Sequence, residues 1–433
     1  MIQRTKPITV LVGLILAISA CGGPGQSGGE SVKLTIAAVQ GVEDAGLKAL
    51  APMYTEETGV EIEIVESPYA DLYTKLVNTF SANDATYDLV MMDDPWMPKF
   101  GTDSSLSDLG ALGIEQDADI AQVVWDVGTW PPPRGPVPPS EVDKDSQLLG
   151  VTIVGNVQMF MWRSDLSADG PATYDDVLAL AQEHNSADMA GYIIRGLATN
   201  PVVADFLPIL WSFGGDVFDE DWNVVFDGDE SLAAVKFLVE DLGAVAQADP
   251  ASTDAADRDR IMAIGQGFQS SVWPGEINSA VLGEGSTVVG NVGFQPIPAG
   301  PSGNGVGMMG NWMLGIPKAS TNQQAAADFI KWMLQADTQK TYAENGGIPS
   351  RTSVLQDSSL TEANPYFPVL AEALEAPPNW RPRTDQWNAV ESILGTHLNA
   401  ALAGQETAEE AVTGASDEIR TLMADAGYPT AGG

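Results

Sequence analysis

The sequence predicts an α/β protein with two lobes. Residues 32–92 alternate short strand-like segments with segments whose apolar side chains recur at helical spacing, which is typical of strand–helix–strand units. The chain has 433 residues, more than one hydrophobic core usually organises, so two lobes are expected. With 44% hydrophobic residues, the composition is sufficient to build both cores.

Three strands and two helices are predicted at the start of the first lobe. The strands are residues 32–39, 60–64 and 87–92, the last being an apolar run typical of a strand covered on both faces. The helices are residues 44–57 and 67–80. Strands separated by helices of this length form a parallel sheet, and ligands bind at the carboxyl-terminal edge of such a sheet.

Signals for helix starts occur at two places. Ser67 followed by Pro68 predicts an N-cap and a first-turn proline. Ser320 with Gln323 predicts a capping box for a helix over residues 324–334. Both predictions require a serine hydroxyl group to accept a hydrogen bond from a backbone N–H group in the first turn.

Further elements are predicted along the rest of the chain. In order, they are an extended segment 151–162, a helix 172–184, an apolar run 207–211, a hairpin 217–226, a helix 232–242, an extended crossing 292–298, a strand 311–316, and helices 385–402 and 407–426. Residues 130–140 hold six prolines in eleven positions and can form neither a helix nor a central strand. A stiff surface excursion is the favoured interpretation of this segment, and a polyproline-type docking segment is the alternative.

The first 31 residues carry the signature of export and anchoring. Arg4 and Lys6 precede an apolar run that stops at Cys21, the single cysteine of the chain. The run is too short to span a bilayer and predicts a secretory signal peptide over residues 1–20. The four residues that end at Cys21 resemble the lipobox of bacterial lipoproteins, which implies that this cysteine becomes the acylated first residue. Residues 21–31 are rich in glycine and serine and predict a flexible tether, so we expect an extracytoplasmic protein anchored to the cell membrane.

The charge balance excludes several classes of partner. The chain has 59 acidic and 20 basic residues, a net charge of −39, and this acidity is spread along the whole sequence. Such a surface repels nucleic acid and anionic lipid headgroups. A solvated acidic surface, adapted to high salt or to solubility, is favoured over a functional role with an acidic substrate or as a sink for metal ions. With Cys21 assigned to the anchor, no disulfide is possible, and the acidic residues within 219–229 lack the spacing of an EF-hand loop, so we expect neither a metal nor a cofactor.

Four segments of the chain carry a family resemblance. The most specific is residues 307–351, which contain a glycine-rich turn before a strand, a helix with the pair Phe-Ile, and the ending Gly-Ile-Pro-Ser-Arg. Supporting segments are residues 156–165, 213–215 and 404–411. Taken in this order, they resemble the family 1 extracellular solute-binding proteins of ATP-driven importers, to which maltose- and oligosaccharide-binding proteins belong. The resemblance covers nearly all of the chain after the tether.

The resemblance implies a type II periplasmic-binding-protein fold, in which two α/β lobes enclose a ligand cleft that closes on binding. The expected crossing segments between the lobes lie near residues 150–156, 294–298 and 345–351. The expected lobes are each discontinuous, the first being residues 32–152 plus 298–347 and the second residues 153–297 plus 348–433.

The function implied by the resemblance is a monomeric receptor that captures a carbohydrate and delivers it to the transmembrane permease of an ABC-type importer, with no chemistry on the ligand. A receptor for a polyol, another osmolyte or a glycerophosphate is one alternative, although an anionic ligand is disfavoured because basic residues are few. An alternative of another class is a surface-tethered glycoside hydrolase, with Asp93 or Asp94 and Glu276 as its two carboxylates.

Candidate ligand contacts follow from the chemistry of sugars. A sugar presents hydroxyl groups and apolar CH faces, so its site needs aromatic platforms beside paired polar groups. The chain holds 11 tryptophans, more than packing requires. The candidates at predicted strand ends or next to predicted crossings are Gln40, Tyr69, Asp93, Asp94, Trp96, Gln158, Trp273, Glu276, Asn311, Trp312 and Arg351.

The most informative candidates follow predicted strands. Asp93 and Asp94 follow the third strand, where each carboxylate could accept two hydrogen bonds from sugar hydroxyl groups, and Trp96 could stack on a sugar ring. The alternative is that the carboxylates form a helix N-cap and that Trp96 is a core residue. Trp273 and Glu276 follow a short predicted strand, at a position where the family commonly has a tryptophan facing the cleft.

The remaining candidates rest either on the family's loop pattern, for Asn311 and Trp312, or on weaker positional signals. Asn311 and Trp312 follow a turn glycine where the family's loop borders the ligand. Tyr69 and Gln40 follow the second and first strands. Gln158 and Arg351 lie beside the first and third crossings and could sense closure. For Tyr69, Gln40, Gln158 and Arg351, a purely structural role is an equal alternative.

Overall fold

The computed structural model describes residues 32–376 and 378–429. Its strands are β1 (Lys33–Val39), β2 (Glu61–Ser67), β3 (Leu89–Asp93), β4 (Thr129–Trp130), β5 (Gln147–Leu148), β6 (Val151–Val154), β7 (Met159–Arg163), β8 (Gln269–Val272), β9 (Val292–Gln295) and β10 (Trp312–Gly315). Its α-helices are α1 (Ala45–Thr58), α2 (Tyr69–Ser81), α3 (Met97–Thr102), α4 (Gln122–Val127), α5 (Tyr174–His184), α6 (Asn200–Phe213), α7 (Asp229–Lys236), α8 (Ala255–Ala263), α9 (Pro274–Glu276), α10 (Gln323–Met333), α11 (Ala336–Glu344), α12 (Thr352–Leu355), α13 (Ser358–Thr361), α14 (Phe367–Glu375), α15 (Trp387–Leu402) and α16 (Ala408–Asp425). The predicted signal peptide and tether, with Cys21, lie outside the described residues.

The larger sheet has five strands in the order β2-β1-β3-β10-β6. Strands β1, β2 and β3 are parallel, as the sequence predicts, whereas β10 runs antiparallel to both β3 and β6. The register pairs Trp312 with Asp93, so the amino end of β10 meets the carboxyl end of β3. Polar and aromatic residues from both strands therefore gather at the ligand-binding edge expected of a parallel sheet.

The smaller sheet has three antiparallel strands in the order β8-β7-β9. Val272, the last residue of β8, pairs with Met159 at the start of β7. Trp273 and helix α9 follow β8 directly, at the same end of the sheet where β7 begins. This end lies next to the segments that connect the two sheets.

Three segments of chain run side by side between the sheets. Val157 forms an antiparallel bridge with Met309, the Gly310 N–H group donates to the Asn156 carbonyl oxygen at 3.0 Å, and the Gly155 N–H group donates to the Ile348 carbonyl oxygen at 3.0 Å. Two of these segments coincide with crossings expected near 150–156 and 345–351. The lobe boundaries given above stay a prediction.

Buried apolar side chains form two clusters. One surrounds the five-stranded sheet and extends to Met159 and Val272 of the smaller sheet. The other is built mainly from α6, α15 and α16, and includes Phe206, Trp387 and Val412. No helix within the described residues is both long enough and apolar enough to cross a membrane.

Several local predictions are wrong in detail. The Ser67 hydroxyl group accepts a hydrogen bond from the Lys75 ammonium group at 2.6 Å and caps no helix, because Ser67 is the last residue of β2. The Ser320 hydroxyl group donates to the Asp88 carboxylate at 2.7 Å and accepts the Asn322 N–H group at 3.1 Å. The predicted capping box does not form, because α10 begins at Gln323 with Asn322 as its N-cap and the Gln323 amide group donates to the Lys318 carbonyl oxygen. The apolar run 207–211 lies inside α6, and the predicted helix 232–242 consists of α7 followed by a π-helical turn, Phe237–Leu242.

The proline-rich segment 130–140 packs against two distant parts of the chain. The Arg134 guanidinium group stacks on the Trp380 ring, 3.9 Å from its centroid. The Trp222 indole N–H group donates to the Val137 carbonyl oxygen at 3.0 Å. The segment is therefore held along its length by these contacts, and its interpretation as a docking segment stays a prediction.

Candidate functional site

A cavity of about 1010 Å³ lies between the ligand-binding edge of the larger sheet and the end of the smaller sheet from which Trp273 emerges. Its charged side chains are Glu43, Asp93, Arg195, Asp254, Asp259, Arg260, Glu276, Arg381 and Glu391. Its aromatic side chains are Tyr69, Tyr73, Trp96, Trp273 and Trp312. Its amide and hydroxyl side chains include Gln40, Thr74, Asn156, Thr199, Asn200, Asn388 and Ser392. This combination of apolar rings and hydrogen-bonding groups is typical of a small-molecule site.

Four of the five aromatic side chains form one continuous wall. The Tyr69 ring centroid is 5.1 Å from that of Trp96 and 5.8 Å from that of Trp312, and Trp96 and Trp312 are 5.5 Å apart in near-perpendicular contact. Tyr73 joins the wall 5.4 Å from Trp96. Each ring packs against at least one other ring of the wall, so these side chains position one another.

Trp273 supplies an aromatic surface from the other side of the cavity. Its ring packs against the backbone of Gly310, where an added Cβ atom would lie 2.4 Å from the ring. Only glycine permits this close approach, which explains the turn glycine before Asn311. The indole ring is thus positioned by the segment that connects the two sheets.

Asp93 combines a structural role with a position on the cavity wall. One carboxylate oxygen accepts the Asp94 N–H group at 2.9 Å and caps the short 3₁₀ turn Asp94–Trp96, while the other accepts the Tyr69 hydroxyl group at 2.9 Å. The Arg381 guanidinium group lies 3.6 Å from this second oxygen. Asp93 therefore caps a helical turn and also lines the cavity, so both interpretations from the sequence apply to it.

Asp94 lies behind the wall and does not line the cavity. Its side chain is fully buried and forms an ion pair with Arg381, and burial raises its pKa to about 7 despite this cation. Arg381 also faces Glu391 of α15 at 3.9 Å. Burial raises the pKa of Glu391, whose carboxylate accepts a hydrogen bond from Asn200 at 3.0 Å.

A second buried arginine organises the opposite side of the cavity. Arg258 of α8 is fully buried and forms ion pairs with Glu276, with Asp259 at 3.1 Å and with Asp205 at 3.5 Å. Burial raises the pKa of Asp259 to about 7, with Arg258 acting in the opposite direction. The Gln158 amide group donates to Asp205 at 2.9 Å and so supports this cluster from behind.

Glu43 projects from the loop after β1 toward the end of the smaller sheet. Both carboxylate oxygens lie 3.2 Å from the Asn156 amide nitrogen, and both would lie 3.2 Å from a Cβ atom at Gly275. Burial, followed by the negative charges of Glu276 and Asp93, raises the pKa of Glu43 to about 8. The carboxyl group is thus protonated for the most part at neutral pH in the ligand-free protein.

The structure brings seven of the eleven sequence candidates to the cavity wall. These are Gln40, Tyr69, Asp93, Trp96, Trp273, Glu276 and Trp312. The other four, Asp94, Gln158, Asn311 and Arg351, do not line the cavity. Asn311 is fully buried and donates to the Thr152 hydroxyl group at 3.3 Å. Arg351 pairs with Asp117 and Asp119 and donates to the Leu334 carbonyl oxygen, so it fastens the third crossing to the segment before α4 and to the end of α10.

Several cavity residues escaped the sequence reasoning. Glu43 lies three residues beyond Gln40, after the same strand, so the argument made for Gln40 would have reached it with a slightly longer window. Asn156 lies inside a predicted crossing. Arg381 and Glu391 come from segments with no local signal, and only the tertiary fold places them beside β3.

No group of three or more His, Cys, Asp or Glu side chains within the described residues is arranged to hold a metal ion. The carboxylates on the cavity wall are instead held by arginines, apart from Glu43. The cavity wall presents hydrogen-bonding groups and aromatic rings to a ligand.

Comparisons with known proteins agree with this geometry. The family model for bacterial extracellular solute-binding proteins matches residues 38–340. A probable amino-acid ABC transporter periplasmic-binding protein of Sinorhizobium fredii is 25% identical over 398 residues, covering 89% of this chain and 88% of that protein. The mannitol-binding protein of Pseudomonas aeruginosa is 25% identical over 242 residues, covering 50% of this chain and 54% of that protein.

The fold also matches the whole length of a protein of solved structure. Maltose-bound MalE3 of T. maritima superposes with a TM-score of 0.78 at 28% sequence identity, covering 90% of this chain and 100% of that one. This likeness confirms the predicted two-lobed periplasmic-binding fold.

Removing the Glu43 charge is expected to stabilise the protein at high pH. The folded-state pKa of Glu43 lies above its ordinary value, so its favourable contribution is present below about pH 4.5 and is lost as the pH rises to about 8. Glu43→Gln should therefore unfold with nearly the wild-type free energy near pH 4, but gain roughly 3–5 kcal/mol at pH 9. Chemical denaturation at several pH values measures this difference.

The matched control is Glu56→Gln, which removes the same charge from an exposed position on α1. Its unfolding free energy should stay within about 0.5 kcal/mol of the wild type at each pH. A Glu43→Gln protein whose stability difference does not change between pH 4 and pH 9 would contradict the assignment.

Proposed function

The chain belongs to the family of bacterial extracellular solute-binding proteins, and we propose that it is a lipid-anchored receptor that captures a carbohydrate in the cavity between its two sheets and delivers it to an ABC-type permease. Members of this family bind solutes and do not transform them, so the chain is a binding protein and not an enzyme. The glycoside hydrolase alternative is therefore wrong. The ion pairs that hold Asp94 and Glu276 agree with this conclusion.

The observation that carries the carbohydrate assignment is the joint presence of aromatic rings and hydrogen-bonding groups in one cavity of about 1010 Å³. The Trp312 ring lies on one side and the Trp273 ring on the other, as platforms for the CH faces of a sugar. Trp96, which is 1% exposed, supports Trp312 in near-perpendicular contact. Asp93 and Asn156 offer hydrogen-bond acceptors to hydroxyl groups, and the cavity's arginines, Arg195, Arg260 and Arg381, offer donors. The volume is large enough for a sugar of more than one unit.

The relatives support the same class of ligand. The superposable structure is that of maltose-bound MalE3, and one relative is a mannitol-binding protein. A polyol is therefore the second candidate, since it presents the same hydroxyl groups without an apolar ring face. An anionic ligand such as a glycerophosphate is disfavoured, because six acidic and three basic side chains line the cavity.

Binding is coupled to closure of the two lobes. A ligand that contacts both Trp273 and the opposite aromatic wall stabilises the closed arrangement more than the open one, and thereby shifts the population toward it. The closed receptor then presents a surface that the permease recognises. We expect the protein to act as a monomer, because residues of one chain line both sides of the cavity.

Replacing Trp273 by alanine is expected to weaken carbohydrate binding by roughly tenfold to a hundredfold, because one aromatic platform of the cavity is lost. The ligand is first identified by a thermal-shift screen of residues 32–433 against maltose, longer maltooligosaccharides, mannitol, ribitol and glycerol 3-phosphate. A ligand at 100 times its Kd stabilises the protein by about 2.7 kcal/mol. Isothermal titration calorimetry then measures the affinity of the variant.

The matched control is Trp162→Ala, since Trp162 of β7 is 8% exposed, like Trp273 at 7%, but does not line the cavity. Its unfolding temperature should fall while the Kd stays within about threefold of the wild type. Equal losses of affinity in the two variants, or a screen in which glycerol 3-phosphate alone stabilises the protein, would contradict the carbohydrate assignment.

The lipid anchor is supported by the sequence around Cys21, at the end of a signal-like apolar run. When the full chain is expressed in a bacterium, it should partition with membranes, and its first mature residue should carry acyl mass by mass spectrometry. Cys21→Ser should release the protein from the membrane fraction, whereas Ser27→Ala in the tether should not. A wild-type protein that is soluble and unmodified at Cys21 would refute the anchor.

A further inference from the structure

Glu43 differs from the other acidic side chains on the cavity wall. Each of the other five has an arginine within ion-pair distance: Asp93 and Glu391 face Arg381 at 3.6 and 3.9 Å, Asp254 faces Arg195 at 3.2 Å, and Asp259 and Glu276 face Arg258. Among the residues that the structure describes, no lysine, arginine or histidine lies within ion-pair distance of Glu43. Its one side-chain hydrogen-bond partner is the neutral amide of Asn156.

The surroundings of Glu43 are rich in acceptors. Asn156 is 2% exposed and lines the cavity, and its amide oxygen has no hydrogen-bond partner. Its amide nitrogen is directed at the Glu43 carboxylate, so the unsatisfied oxygen lies on the same side chain that contacts Glu43. A buried acceptor without a donor is costly, and a ligand that supplies hydrogen-bond donors removes this cost.

Two classes of ligand group can supply those donors. A hydroxyl group donates one hydrogen bond and carries no charge, whereas an ammonium group donates three and accepts none. Only the ammonium group also compensates the charge of a carboxylate, in a charge-assisted hydrogen bond that is stronger than a neutral one. The unpaired carboxylate beside the unsatisfied amide oxygen matches the ammonium group better.

We propose that the carbohydrate held in this cavity carries an amino group, and that Glu43 and Asn156 bind it in its ammonium form. This inference rests on the proposed function, since it specifies the class of carbohydrate for the same cavity. The position of the amino group on the sugar is set by the aromatic platforms, against which the ring of the ligand stacks.

The charge of the cavity agrees with a cationic ligand. Six acidic and three basic side chains line it, and the buried Arg258 and Asp205 behind the wall add one charge of each sign. A ligand cation beside Glu43 would oppose the effect of Glu276 and Asp93, which, together with burial, raise the pKa of Glu43 to about 8. The ammonium group would therefore lower the pKa of Glu43, and the carboxyl group would release its proton as the ligand binds.

The test compares sugars that differ only at nitrogen. The probes are D-glucose, D-glucosamine and N-acetyl-D-glucosamine, the pair cellobiose and its diamino analogue chitobiose, and the pair D-sorbitol and 1-amino-1-deoxy-D-sorbitol. Titration calorimetry at pH 6.5 keeps the amines charged, and the acetylated sugar keeps the nitrogen but removes its charge. In at least one of these sets, the amine is expected to bind about tenfold tighter than its neutral counterpart. In the glucose set, it should also bind about tenfold tighter than the acetylated sugar.

Two variants locate the origin of the preference. Glu43→Gln is expected to bring the affinities for the amine and the neutral sugar within about threefold of each other. Asp254→Asn removes the same charge from the cavity wall and retains the cap of α8, in which Asp254 accepts the Ala255 N–H group at 2.7 Å. This variant should keep most of the preference, because Asp254 is already paired with Arg195.

The outcomes separate the two levels of the account. Neutral sugars that bind as tightly as the amines, or an equal loss of preference in both variants, would overturn the inference and leave the carbohydrate receptor intact. Absence of binding by each probe and by each sugar and polyol of the thermal-shift screen would overturn the receptor assignment and the inference together.

Discussion

The buried guanidinium group of Arg381 is the constraint on which the binding cavity depends. It is 3% exposed and faces the carboxylates of Asp93, Asp94 and Glu391, which come from the end of β3 and from α15. Buried ion pairs contribute little net stability, but removing one partner leaves the others as uncompensated charges, at a cost of about 3–5 kcal/mol. The cluster therefore fixes the carboxyl-terminal helices to the ligand-binding edge of the larger sheet, and with them the aromatic wall that Tyr69 and Trp96 form beside Asp93.

The same arrangement recurs on the opposite side of the cavity. Arg258 neutralises Glu276 and Asp259, next to the point where Trp273 emerges from β8. On each side of the cavity, the carboxylates are thus paired with a buried arginine, and aromatic rings line the cavity beside them. Such a site needs no rearrangement of its own charges when a neutral polyhydroxy compound enters, and the hydroxyl groups compete only with water. Glu43 is the exception within this pattern, because no arginine in the described part of the chain faces it. We propose that it adds a preference for an amino group to the cavity's general affinity for polyhydroxy compounds.

The sequence predicted the features of the site that depend on strand ends. Gln40 and Asp93 were found because parallel strands bring their carboxyl ends to one edge and polar residues follow those strands, whereas Trp312 was found from the family's loop that borders the ligand. The sequence could not separate neighbours such as Asp93 and Asp94, or Asn311 and Trp312, since the turn geometry decides which of the two faces the cavity. It could not find Arg381 at all, because its partners Asp93 and Asp94 lie nearly 300 residues earlier in the chain. Ion pairs between such distant segments leave no local pattern in the sequence. Tertiary contacts also alter the two capping predictions: Ser67 bonds to Lys75 of α2, and Ser320 donates to Asp88 while it accepts the Asn322 N–H group before α10 begins.

The central claim is that one ligand is held by both sides of the cavity at once. Hydrogen–deuterium exchange by mass spectrometry tests it most directly, with the carbohydrate that gives the largest thermal shift at saturating concentration. The account predicts slower exchange in peptides from both sides together, namely those that contain residues 40–44, 93–97, 273–277 and 310–313, and little change around Arg351 and the proline-rich segment. Slower exchange confined to one side, or confined to residues outside the cavity, would contradict it.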